Sequence, residues 1–167
     1  MAYVNTYLDD IDKGSKMRIK SCWLLALAMF AAAALTGCAT LGGGAGNVGK
    51  AVSLINQSDA ELLTQNSAVP FIFEGEVLLR RSDVAAVWRN LSINGFRLSE
   101  EDVFDAGNID DTTFRIFSDA EEMRVFFSKY VPFGSTLGRI KSGGKEYHVI
   151  LGNVSGGYPQ ILGITGF

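Results

Sequence analysis

Cysteine and histidine are nearly missing from this 167-residue chain, which has two cysteines, Cys22 and Cys38, and one histidine, His148. Both cysteines fall in the first quarter, so the remainder of the chain can form no disulfide and carries no thiol chemistry. A structural zinc site needs about four Cys or His ligands, and that supply does not exist here. No basic excess is present either. The formal net charge is −3 and the pI about 5.1, with no basic stripe of the kind nucleic-acid binders show. Disorder is excluded from the other side, because 47% hydrophobic and 20% charged residues make a globular composition. The length predicts one domain.

What is present first is a three-part N-terminal segment. Arg18 and Lys20 form a positive stretch, residues 23–35 are uncharged and apolar, and Thr36 and Gly37 are small. This is the form of a secretory signal. The run is shorter than the ~20 residues of a comfortable transmembrane helix. Its end, Leu35-Thr36-Gly37-Cys38, resembles the lipobox of bacterial lipoproteins. That resemblance covers the signal segment alone. It implies diacylglyceryl transfer to the Cys38 thiol, then cleavage between Gly37 and Cys38, with residues 1–37 as signal peptide. At least two acyl chains, palmitate among them, then hold the protein, which is what stable anchoring requires. Ala39 rather than Asp after the cysteine resembles the pattern sorted to the outer membrane, which implies an anchor in its inner leaflet and a periplasm-facing domain. Residues 1–16 place Asp9, Asp10 and Asp12 ahead of the basic stretch. That is unsuited to export and points to Met17 as the start. Cys22 lies in the removed peptide. Residues 38–167 hold 15 acids and 11 bases, a net charge of −4, so anionic headgroups should add nothing to the anchor.

Residues 38–57 read as the lipidated cysteine and a flexible, glycine-rich tether. Within it, 44–51 matches both GxGxxG and GxxxxGK spacing. Either motif needs a preceding strand to aim backbone N–H groups at phosphate. It starts only six positions after Cys38, and Ala51 stands where a Mg²⁺-binding hydroxyl is needed. The linker reading is preferred, and no cofactor is expected.

Residues 58–167 read as an α+β domain, a small mainly antiparallel sheet with two or three amphipathic helices on one face. Ser58-Asp59-Ala60-Glu61 has capping-box form and opens a short helix that 67–70 stops. Residues 71–79 read as a strand with an irregularity at Gly75. Ser82-Asp83 starts a helix buried through Val84, Val87, Trp88 and Leu91, and Asn94-Gly95 ends it. Short strands follow at 96–98 and 113–117. Ser118-Asp119-Ala120-Glu121 opens a helix with Met123, Phe126, Phe127 and Tyr130 on its buried stripe, ended by Pro132 and Gly134. Residues 135–141 and 146–151 flank the hairpin signal Ser142-Gly143-Gly144-Lys145. Residues 158–164 read as a last strand, and Pro159 points to a sheet edge. The strand–Ser-Asp–helix order occurs twice, either as an internal repeat or as a good N-cap used two times.

No catalytic or metal site is assigned. The acids Glu100, Glu101, Asp102, Asp105, Asp110 and Asp111 could offer oxygens to Ca²⁺, but without EF-hand spacing they read as a solvated loop. His148 has no G-x-S-x-G serine to serve. Glu74 and Glu76 would share a strand face as paired carboxylates do in glycoside hydrolases, and Glu76 pairing with Arg80 or Arg81 is the plainer reading. Phe167 reads as the end of an edge strand. The expected function is a non-catalytic module that binds another envelope protein through exposed strand edges. The alternative is a carrier of a small apolar ligand or lipid, with a hydrolase third.

Overall fold

The computed structural model describes residues 43–99 and 103–167. Cys38 and the signal-like segment lie outside the described residues, as do Glu100, Glu101 and Asp102. Among the described residues there are four helices: α1 (Gly43–Asn56), α2 (Ala60–Gln65), α3 (Arg81–Ile93) and α4 (Glu121–Tyr130). The described residues also form six strands: β1 (Ser67–Phe73), β2 (Glu76–Leu78), β3 (Val103–Asn108), β4 (Thr136–Ser142), β5 (Lys145–Ser155) and β6 (Tyr158–Thr165). A 3-10 turn spans Thr113–Ile116. No described helix is long and apolar enough to cross a membrane.

The strands form one sheet in the order β2-β1-β6-β5-β4-β3. All neighbours are antiparallel except β1 and β6, so the α+β class with a mainly antiparallel sheet is what the chain adopts. Tight two-residue turns join three strand pairs. Each has positive φ at both central residues: Glu74-Gly75, Gly143-Gly144 and Gly156-Gly157. That backbone matches the twist of paired strands. The irregularity read at Gly75 is thus a hairpin turn that divides 71–79 into two strands. Pro159 is not at an edge, since β6 lies between β1 and β5. It is tolerated because Ser155 and Tyr158 close the turn, which makes Val154 and Pro159 the next pair, where the missing N–H points away from β5. On that other side β1 begins only at Ser67, opposite Ile161.

Alternating strand residues feed two apolar layers. Phe71, Ile140, Tyr147, Val149, Leu151, Ile161 and Ile164 meet Val48, Val52, Leu54 and Ile55 of α1, Leu63 of α2, and Val84 and Trp88 of α3. Ile72, Leu137, Ile150 and Leu162 meet Phe117 and Met123 and Phe126 of α4. The two predicted amphipathic helices, α3 and α4, therefore cover opposite faces. Their buried stripes were legible except at Tyr130, which is exposed, but periodicity does not say which side of a sheet a helix takes. The element ahead of α3 is a strand and that ahead of α4 is a 3-10 turn, so the Ser-Asp resemblance is not a structural repeat.

The largest correction is α1. The segment read as a tether is a 14-residue helix. Four glycines inside a helix disfavour it by about 1 kcal/mol each relative to alanine. Val48, Val52, Leu54 and Ile55 are at most 2% exposed, and each such burial is worth about 1.5–3 kcal/mol, so packing outweighs propensity. The phosphate-loop spacing, 44–51, falls inside this helix. The docking is close at Gly138 of β4, where a Cβ would lie 2.7 Å from Val48 Cγ2.

Three local signals were read differently by the chain. Asp59, not Ser58, caps α2, accepting from the N–H groups of Glu61 and Leu62 at 3.0 Å each. Residues 96–98 form no strand. Leu98 is tied instead to the Asn56 amide, which accepts from Leu98 N–H at 2.9 Å and donates to Leu98 O at 2.7 Å. Residues 113–116 coil into the 3-10 turn because Asp110 gathers Thr112 and Thr113 around its carboxylate.

Candidate functional site

An open cleft of about 1050 Å³ lies between the chain that leaves β3 and the C-terminal half of α4. Ile109 and Phe114 line one wall, Phe127 and Val131 the other, and Phe133 stands in the turn between α4 and β4. Amphipathic periodicity builds the second wall. α4 turns Met123 and Phe126 into the core, and Phe127 is left half-buried against Phe117 with ring centroids 5.7 Å apart.

Two charged groups of the cleft, Arg124 and Asp110, are engaged locally. Arg124 donates to both oxygens of Glu121 at 2.8 and 2.5 Å. This hydrogen-bonded pair lowers the Glu121 carboxyl and raises the Arg124 guanidinium. Asp110 Oδ1 accepts from the Thr112 hydroxyl and N–H, both at 2.8 Å, and from the Thr113 hydroxyl at 2.9 Å. These bonds hold its carboxyl down to about 2. A carboxylate so stabilised is a weak base, which suits a wall better than proton transfer.

The turn from Pro132 to Ser135 is locked. Ser135 donates to Pro132 O through its N–H at 3.1 Å and its hydroxyl at 2.7 Å, and Gly134 takes φ +83°. Ser135 is buried, whereas Phe133 at the tip is fully exposed at 105%. The sequence showed Pro132 and Gly134 only as helix stops. The signal that could have found the site is the aromatic residue between them, at a turn tip where polar residues are usual.

The residues singled out from sequence do not come together. Glu74 is in the first hairpin turn, where its Oε1 accepts from Gly166 N–H at 2.6 Å and Phe167 N–H at 3.0 Å, so it forms no carboxylate pair with Glu76 of β2. Arg80 pairs with Asp83 at 3.2 Å, and Arg81 donates to Thr64 O at 2.8 Å. Asp105 pairs with Arg139 at 3.1 Å. Among the described residues no group of acids, His or Cys is arranged to hold a metal. His148 Nε2 lies 3.1 Å from Glu146 Oε1, with Arg139 and Thr165 opposite it on the two neighbouring strands. Burial is the largest influence and lowers its pKa; Arg139 lowers it further, and Glu146 opposes both. Phe167 does not end an edge strand. Its ring packs on Phe96 at 4.7 Å, Phe73 at 5.2 Å and Tyr147 at 5.3 Å.

At the sheet's end, β3 has β4 on one side and no described strand on the other. Asp105, Gly107 and Asn108 are exposed along it, and its last residue, Asn108, is also the first of the cleft lining. No protein-family model, no curated protein and no solved structure matches this chain.

Proposed function

We propose that this chain is a lipid-anchored, non-catalytic binding domain of the cell envelope, tethered through acylated Cys38 to the inner leaflet of the outer membrane. It takes an extended segment of another envelope protein along β3. The observation that carries this reading is the outer edge of β3, which no strand among the described residues covers, running into the apolar cleft. A free edge offers main-chain hydrogen bonds to an added strand, and adjacent pockets select its side chains. The apolar walls also suit the second reading, a carrier of a small apolar ligand. A carrier usually encloses most of its ligand, and this cleft is open to solvent, which favours a polymer segment.

The test is site-specific photo-cross-linking in intact envelopes, with the reactive group at Asn108 and, as a control, at exposed Arg89 on α3. An adduct with one protein at 108 and none at 89 is the expected result. Adducts absent at 108 sink the edge reading. The anchor is tested separately. Cys38→Ala should abolish acyl labelling and leave the precursor uncleaved, and normal processing of that variant would exclude lipidation.

A further inference from the structure

We propose that the Pro132–Ser135 turn is a bilayer contact, with the Phe133 ring inserted into the interfacial region of the membrane that holds the Cys38 lipid. This rests on the lipid-anchor reading and adds to it a defined orientation of the domain.

The first argument is chain length. α1 is docked on the sheet and its first described residue is Gly43, so four residues, 39–42, lie between it and Cys38 in the sequence. Five peptide units span at most about 18 Å. The α1 N-terminus is therefore held within that distance of the acylated residue, and the domain cannot stand far off the bilayer.

The second argument is position. A Cβ on Gly44, in the first turn of α1, would touch Thr136 Cγ2 at 3.5 Å and Ala106 Cβ at 3.6 Å. Thr136 opens β4, three residues after Phe133, a span of at most about 11 Å. The start of α1 and the tip of the turn thus share one corner of the molecule, the β3–β4 corner. The membrane-proximal corner is the one that presents Phe133.

The third argument is chemistry. Phe133 is 105% exposed on a turn locked by two hydrogen bonds from Ser135. A fixed, solvated phenyl ring has no folding role, and an amphipathic boundary is where such a ring gains most. Net charge supplies no attraction, since residues 38–167 carry −4. The contact is apolar and should be insensitive to salt, unlike a basic-patch contact.

The experiment uses the full lipidated chain reconstituted in zwitterionic phosphatidylcholine–phosphatidylethanolamine vesicles, with Phe133→Trp as reporter. Trp88 is fully buried and supplies a constant background. Arg89→Trp, on exposed α3, is the control. Replacing the lipid with phosphatidylcholine brominated near the headgroup should quench the added emission at 133 at least twofold, equally at low and high salt, and leave that at 89 unchanged. Vesicle flotation and the acyl mass of the N-terminal peptide are scored on the same samples. Protein that floats with 133 unquenched, or with 89 quenched equally, overturns the bilayer contact and leaves the anchor standing. Protein that carries no acyl group and does not float overturns both. If 133 is unquenched and Phe133→Ser loses a cross-linked envelope protein, the ring docks on protein, and the bilayer contact is likewise overturned.

Discussion

Trp88 Nε1 donates a hydrogen bond to Ser67 Oγ at 2.8 Å, and the Ser67 hydroxyl in turn donates to Leu63 O at 2.8 Å. Trp88 is 0% exposed and Ser67 1%. The chain of bonds joins α3, β1 and α2 inside the apolar layer and satisfies every polar atom it buries there. Ser67→Ala would orphan the indole N–H, at a cost of about 1–3 kcal/mol. Trp88→Phe loses the donor and some volume together. The double variant should be more stable than the sum of the two losses, by about 1 kcal/mol, because removing both partners leaves no orphan. Denaturant unfolding of the four proteins measures this, and strict additivity would show that the bond contributes nothing.

Gly138 tests whether 43–56 is docked helix or slack chain. A Cβ there meets Val48 Cγ2 at 2.7 Å and Val149 Cγ1 at 2.9 Å. Gly138→Ala should destabilise by about 1–3 kcal/mol through overpacking. Val48→Ala in the same chain should recover part of that loss, since it removes the methyls that clash. Thermal melts read both effects. Were residues 43–56 a loose tether, Val48→Ala would change nothing.

α1 also shows where sequence reading stopped. Val48, Ala51, Val52 and Ile55 stand at i, i+3, i+4 and i+7, the stripe of a core helix, but four glycines on the same segment argued for a linker. Local propensity and burial pull in opposite directions there, and only the tertiary surface at Gly138 decides between them. α3 and α4 were legible from their period, although neither helix forms a side-chain cap at its Ser-Asp signal, and the hairpin at Gly143-Gly144 was legible from its turn residues. The 3-10 turn at 113–116 was not, because Asp110 organises it through side-chain bonds that no periodicity reveals. The cleft and β3 edge were out of reach for a related reason: both depend on which strand ends the sheet, and that is set by long-range pairing. The general expectation of exposed strand edges was available from sequence, but not the identity of the edge.

His148, the one histidine in the chain, gives a pH signal free of overlap. Its folded pKa lies below the usual 6.5, chiefly through burial. The unfolded chain therefore binds a proton more readily than the native one. The sign follows from linkage: stability is complete above about pH 6.5 and falls as pH drops below it, levelling only below the folded pKa. NMR titration of the imidazole C–H should place its midpoint below that of a histidine peptide. Glu146→Gln removes the one group that opposes the shift and should lower the midpoint further. A midpoint above 6.5 would mean that Glu146, not burial, governs the site.

The Phe167 ring closes one end of the layer beneath α1 and α3. It meets Phe73, Phe96 and Tyr147 within 5.3 Å, and its backbone is held by Glu74. Aromatic pairs of this geometry are worth about 0.5–1.5 kcal/mol each beyond the area they bury. Because Phe167 is only half-buried, Phe167→Ala should cost about 2–3 kcal/mol, at or below the low end for a fully buried phenylalanine. Glu74→Ala should cost less. It frees two exposed N–H groups that water can satisfy, while the ring contacts stay. The order of the two unfolding midpoints separates packing from hydrogen bonding. If Glu74→Ala were the more damaging, the carboxylate would be the true clasp and the aromatic cluster its consequence.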